Sequence, residues 1–128
     1  MNLDFRDGLL FTGITITHYG KSVFIPNVII DTGAVESIIS VDAIDGLFDK
    51  YEPEDQIRFM TGIGGRKASV RKRVDEVKFL SFRIFQYTID FGRMGDDNSI
   101  NGLIGLDILI PGKFIVDLNQ LRIYSAIR

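Results

Sequence analysis

Short apolar runs that alternate with polar residues, cut repeatedly by glycine, constrain this 128-residue chain more than any other feature. Ile14-Thr15-Ile16-Thr17 repeats with period two, the spacing that sends alternate side chains to opposite faces of a strand. Thirteen glycines and many β-branched residues fit strands joined by turns. The pattern predicts strands over 9–18 and 22–30, joined through Tyr19-Gly20 as a hairpin. Further strands are expected over 56–61, 67–80, 82–91, 114–118 and 121–127. Over 67–80, Arg71, Arg73 and Asp75 oppose Val70, Val74 and Val77. Over 82–91, Phe82, Ile84 and Gln86 share one face, and Phe85, Tyr87 and Ile89 the other. Ser40 reads as the cap of a short helix from Val41 to Phe48, with Asp42 in its first turn. Residues 92–101 read as a loop. Leu106 to Ile110 suits a helical turn or two, ended by Pro111-Gly112. No linker divides the chain, so one domain over 1–128 is expected. Its class is all-β, a small closed barrel with one or two short helices.

Composition removes several kinds of chemistry. There is no cysteine, which excludes disulfides, thiolate catalysis and Cys-ligated metals. The single histidine, His18, leaves a Ser-His-Asp triad hard to build and reads as a surface residue beside a turn. The net charge of −2 argues against nucleic acid or a membrane surface as partner. The longest apolar stretch, Leu103 to Val116, contains Asp107 and Lys113 and is broken by Pro111-Gly112, so it does not read as a membrane span. The first residues, Met-Asn-Leu-Asp-Phe-Arg-Asp, lack the pattern of a signal peptide, and a cytoplasmic location is the expectation.

Two stretches carry the chemistry. In Val28-Ile29-Ile30-Asp31-Thr32-Gly33-Ala34, an apolar strand ends in a carboxylate, a hydroxyl and a glycine. A lone carboxylate is costly to bury, so Asp31 reads as presented rather than packed. Thr32 is placed to bond nearby backbone, and Gly33 permits a sharp turn and close approach of another backbone. Taken alone, the tripeptide also fits an ordinary Asp-Thr-Gly turn. Far downstream, Leu103-Ile104-Gly105 repeats the apolar-apolar-Gly arrangement before a short helix. Between the two lies a glycine-rich tip, Met60-Thr61-Gly62-Ile63-Gly64-Gly65. In this order the three motifs resemble the retropepsin-like aspartic peptidases, over residues 9 to 118.

That resemblance implies an acid-protease barrel with a flap hairpin that closes over substrate. It implies an aspartic endopeptidase without cofactor or metal, in which two carboxylates share a proton across the attacking water. This chain carries one Asp-Thr-Gly, so the second Asp31 comes from an identical subunit and the site lies on a two-fold axis. Asp31, Thr32 and Gly33 fall on the catalytic motif. Ala34, Val35 and Glu36, the flap residues Thr61, Gly62, Ile63, Gly64 and Gly65, and Leu103 and Ile104 fall on the substrate-binding positions, for a peptide or protein substrate with apolar side chains. By the same resemblance, Leu121, Ile123 and Ile127 are interface candidates. One departure stands out. Retroviral members usually carry an Asp after Asp-Thr-Gly-Ala and an Arg after apolar-apolar-Gly, paired as ions. Here Val35 and Leu106 occupy those places, a double replacement that strands no charge. The two are expected in or near apolar contact, with Glu36 taking over part of the lost acid's role.

Other motifs are weaker. Asp97 to Gly102 starts like a calcium loop, but the required late Glu falls on Ile108. Gly62 to Lys67 lacks the helix that a phosphate-cradling loop needs. Arg66, Lys67, Arg71, Lys72 and Arg73 form a basic cluster whose alternation spreads the charges over different faces, and it lacks the interleaved aromatics of an RNA surface. The rival from a different class is a catalytically silent dimeric peptide-binding module on the same fold.

Overall fold

The computed structural model describes residues 2–44, 55–62, 65–94 and 99–127, and of these the side chains of 58–62 and 65–68 are left aside. In chain order the strands are β1 (Asp4–Arg6), β2 (Leu9–His18), β3 (Lys21–Ile30), β4 (Ile38–Ser40), β5 (Gln56–Gly62), β6 (Gly65–Phe79), β7 (Phe82–Gly92) and β8 (Gly102–Ile104). Helix α1 (Leu106–Leu109), β9 (Phe114–Asp117) and β10 (Arg122–Ser125) follow. The first eight form one sheet in the order β1-β2-β3-β8-β4-β7-β6-β5, and β6 pairs back onto β2. That pairing closes six strands into a barrel, as the all-β reading expected. Strands β9 and β10 form a separate hairpin.

Interior-facing Ile14, Ile16, Ile25, Val28, Ile39, Val74, Val77, Phe79, Ile89, Ile104, Ile108 and Ile123 pack into one core. Each fully buried side chain of this size contributes about 1.5–3 kcal/mol. A bulge breaks the β2–β3 register between Thr12 and Ile14, opposite Pro26 and Asn27. It explains how a proline without an N–H fits inside β3. Asn27 adopts φ 59° there, and Asn101 ties down the irregularity, its N–H donating to Asn27 O and its Nδ2 to Pro26 O. Beyond the bulge, Val28-Ile29-Ile30 runs parallel to β8.

Several expectations need correction. The face assignment on β7 is wrong beyond Phe85. Gln86 has φ 53°, and it and Asp75 form no ladder pair. Both strands change phase there, so Tyr87 and Ile89 join Phe82 and Ile84 on the core side while Phe85 is exposed. His18 is not a surface residue but is buried, its Nδ1 3.6 Å from an Asp75 carboxylate oxygen and its ring against Tyr19. Ile123 is buried in the core, paired across the hairpin with Val116, so it is no interface residue in the way Leu121 and Ile127 can be. Val41–Ile44 forms a single 3-10 turn, with the Asp42 N–H donating to Ser40 Oγ at 3.2 Å. The remainder of the helix expected to Phe48 lies outside the described residues. Three short strands, β1, β4 and β8, went unforeseen.

Candidate active site

Asp31 stands where β3 leaves the barrel. Its position is set from below by the parallel register Val28↔Gly102, Ile29↔Leu103 and Ile30↔Ile104, continued by a hydrogen bond from the Asp31 N–H to Ile104 O at 2.9 Å. Leu103 and Ile104, expected to line the site, belong to β8, the strand that pairs with β3 up to Asp31. Leu103 is part-buried and Ile104 wholly buried. β8 is gripped on its other side by β4, with Ile38↔Leu103 and Ile39↔Gly102. Gly102 is required by this sandwiching, since a Cβ there would lie 2.6 Å from Ile38 O.

The turn after Asp31 closes through the Ala34 N–H to Asp31 O, at 3.2 Å. The Gly33 N–H donates to Asp31 Oδ1 at 2.9 Å, fixing one carboxylate oxygen. Among the described residues no donor holds Oδ2. Asp31 is part-buried, whereas Thr32 and Gly33 are exposed. The Thr32 hydroxyl makes no hydrogen bond to the described residues, so its expected bond to local backbone is not formed. Ala34 O accepts the Leu106 N–H at 2.8 Å, joining the loop to the start of α1. The backbone beside Val35 and Leu106 therefore meets, while the Val35 side chain is 77% exposed.

Two polar clusters brace this loop, and the sequence did not reveal either. In the first, the Gly105 N–H donates to Ser37 Oγ at 2.9 Å, and Ser37 donates in turn to Asp107 Oδ1 at 2.6 Å. Tyr87 donates its hydroxyl to Asp107 Oδ2, also at 2.6 Å. Burial, then the hydrogen bond and charge of Asp107, hold the Tyr87 phenol well above its ordinary value. In the second, Arg71 Nη1 lies 3.3 Å from both oxygens of Glu36 and 3.5 Å from Oδ1 of the buried Asp90. The nearest signals in the sequence were an acid in the first turn of α1 and a strand of alternating charge.

The glycine-rich hairpin is β5 and β6, in register from Gln56↔Arg71 to Thr61↔Arg66 and Gly62↔Gly65. Thr61, Gly62 and Gly65 are placed in its strands, and Ile63 and Gly64 lie outside the described residues. At its root Lys72 Nζ meets Asp55 Oδ2 at 2.6 Å, both side chains 4% exposed. Among the described residues no three His, Asp or Glu side chains converge as a metal site requires, and no helix is long and apolar enough to cross a membrane.

A carboxylate presented by a strand-borne turn, with one oxygen fixed and a hairpin in the same barrel, suits activation of water against an extended chain. A profile of the aspartyl protease family matches residues 14–108. Among solved structures, the chain is similar to a retropepsin-like aspartic protease from Rickettsia conorii, at 20% identity and a TM-score of 0.64, over 96% of this chain and 95% of that one. It is also similar to EIAV protease complexed with the inhibitor HBY-793, at 20% identity and a TM-score of 0.57, over 82% of this chain and 88% of that one. No curated protein sequence matches it. The matched span runs from β2 to α1 and takes in the Asp31 turn, the β5–β6 hairpin and Gly105, and by that match the chain belongs to the aspartyl protease family, on a retropepsin-like fold.

Proposed function

We propose that this chain is an aspartic endopeptidase whose active form is a homodimer, with the Asp31 carboxylates of two copies facing each other across a water. The observation that carries the reading is the placement of Asp31. The carboxylate ends a buried strand, one oxygen is fixed by the Gly33 N–H, and the sequence holds one such motif. One deprotonated Asp31 takes a proton from water as it attacks the scissile carbonyl. The other, protonated, donates to the carbonyl oxygen, which gives a gem-diol; the C–N bond then breaks as the first Asp31 passes its proton to the leaving amine nitrogen and the second takes one back from a diol hydroxyl. Thr32 and Gly33 complete the turn. On this reading Ala34, Val35, Glu36 and the strands of the β5–β6 hairpin contact an extended peptide.

Exposure supports a second copy as the missing half. Thr32, Gly33 and Val35 beside the carboxylate are open. The β9–β10 hairpin also turns Ile115 and Tyr124, directly paired, outward with Leu118, Leu121 and Ile127. Exposed apolar side chains of this kind are what a partner covers.

Asp31→Asn keeps size while removing both acid and base. Peptide cleavage mapped by mass spectrometry is expected to vanish, with folding and dimerisation retained. Specific activity of the unaltered protein is expected to fall on dilution through the dimer dissociation constant. Cleavage at the normal rate by Asp31→Asn, or robust cleavage by a monomer in sedimentation, defeats the reading. A dimer that binds peptide but never cleaves identifies the silent binding module instead.

A further inference from the structure

Arg71 and Lys72 are neighbours in β6, and their side chains leave the strand on opposite faces. Lys72 turns inward to the buried pair with Asp55. Arg71 turns to the other face, against Glu36 and Asp90. Asp90 is the residue directly across from Arg71 in β7, and the same Asp90 is paired with Ile38 in β4. Glu36 lies two residues before Ile38 and five after Asp31, so it extends along the line of β4 over Asp90. The contacts of 3.3 and 3.5 Å are ion-pair distances, longer than a charge-assisted hydrogen bond. Attraction among three charges, not one directed bond, joins these segments. The Glu36 and Arg71 side chains are 40% and 26% exposed, so solvent screens the attraction without abolishing it. The guanidinium therefore links the loop that presents Asp31 to the strand that roots the β5–β6 hairpin.

We propose, on the peptidase reading above, that Arg71 is a positioning residue that acts through Glu36. It fixes the Asp31 loop against the root of the hairpin, and it masks the negative charge that Glu36 would otherwise offer to substrate. An extended peptide advances about 3.3 Å per residue. One passing Asp31 brings a side chain on the order of two or three residues from the scissile bond to Glu36. With Arg71 engaged, that subsite takes neutral side chains. Loss of Arg71 raises the share of the Glu36 charge that reaches substrate and shifts the preference toward a basic side chain.

The test uses the full chain with Glu36→Gln, Arg71→Met, their combination, and Arg71→Lys as the conservative variant. Should Arg71→Met not fold, because buried Asp90 then lacks this cation, Arg71→Met with Asp90→Asn takes its place. Hydrogen exchange is followed by mass spectrometry over 31–37 and 56–62. It is expected to rise several-fold in both segments together in either single variant, no further in the double, and to return toward normal in Arg71→Lys. Peptides that differ only in Lys, Gln or Glu at each position report the second part. For one position, Arg71→Met is expected to lower KM for the Lys peptide about fivefold relative to the Gln peptide, with any fall in kcat shared equally by the two peptides. The preference is expected to disappear when Glu36→Gln is added. Exchange that rises around Arg71 alone, or a charge preference that does not move, refutes the proposal. Asp31→Asn tests the peptidase reading itself. The exchange measurement needs no catalysis, so the two failures are told apart.

Discussion

Gly105→Ala isolates the tight backbone contact between the Asp31 loop and the start of α1. Gly105 has φ −102° and ψ −169°, an extended conformation that alanine adopts freely, so the substitution carries no dihedral cost. The cost is steric. An added Cβ would lie 2.6 Å from Ala34 O, 3.1 Å from Glu36 C and 3.2 Å from Ala34 C. A relaxed carbon–oxygen contact is about 3.3–3.6 Å, so the loop must withdraw by roughly 0.7 Å or more. All three contacts are backbone, and that backbone is pinned by Leu106 N–H to Ala34 O at 2.8 Å and Gly105 N–H to Ser37 Oγ at 2.9 Å. Overpacking of this kind costs about 1–3 kcal/mol, and straining one of the pinned hydrogen bonds adds about 1 kcal/mol. The expected loss is about 2–4 kcal/mol in urea unfolding followed by far-UV circular dichroism. A loop shift approaching 1 Å next to Asp31 is expected to lower cleavage on the order of a hundredfold. Gly8→Ala is the control. Gly8 has φ 78° and open space around its missing Cβ, so it is expected to lose about 1 kcal/mol through backbone strain and leave cleavage intact. Gly105→Ala within about 0.5 kcal/mol of the original protein, with cleavage within about twofold, would refute the reasoning.

The remaining predictions concern the polar groups. Lys72→Met removes the ammonium from Asp55 in a nearly solvent-free pair and is expected to cost about 3–5 kcal/mol, most of it recovered on adding Asp55→Asn. A denaturation cycle in which the double variant is no better than the single contradicts this. Tyr87 is held above its ordinary value of about 10 in the folded state, so the stability it confers is whole below that value and is lost as pH rises beyond it. Thermal unfolding above about pH 10 is expected to show a stability slope of at most about 1.4 kcal/mol per pH unit from this group, and Tyr87→Phe is expected to flatten it. An unchanged slope refutes the assignment.

Much of the barrel was legible because period-two alternation is local. Strands β2, β3, β5, β6 and β7 fall within a few residues of their expected spans. The short strands β4 and β8 were not legible. Each has three residues, too few for a period, and each exists because a neighbour pairs with it on both sides. The phase change at Asp75 and Gln86 was invisible for a related reason. A left-handed residue in mid-strand inverts the faces beyond it without altering the hydrophobic count. His18 was misplaced because burial beside Asp75 depends on a strand 57 residues away in sequence, brought there by the β2–β6 closure. The Asp31 motif was readable because its demands are local: a strand end, a turn and a glycine. Ser37, Tyr87, Arg71 and Asp90 brace that motif only through the sheet order, so no spacing rule pointed to them.

The apolar residues at 35 and 106 take on meaning beside those braces. By resemblance, retroviral relatives join the Asp31 loop to the helix with an ion pair at these two places. Here an acid stands one residue downstream of each place, Glu36 after Val35 and Asp107 after Leu106. A step of one residue re-aims a side chain, by about 100° in the helix that holds Asp107. The two acids consequently do not face each other. Glu36 meets Arg71 and Asp90 on the sheet, whereas Asp107 collects the hydroxyls of Ser37 and Tyr87. One bridge between loop and helix has been exchanged for two braces, from loop to hairpin root and from helix to loop and β7. At positions 35 and 106 themselves the contact is left to backbone, Leu106 N–H to Ala34 O at 2.8 Å, and to a glycine that lets it close. That arrangement needs no guanidinium in α1, which is why Leu106 is tolerated, and it makes the placement of Asp31 depend on Gly105 more than on any side chain at 35 or 106.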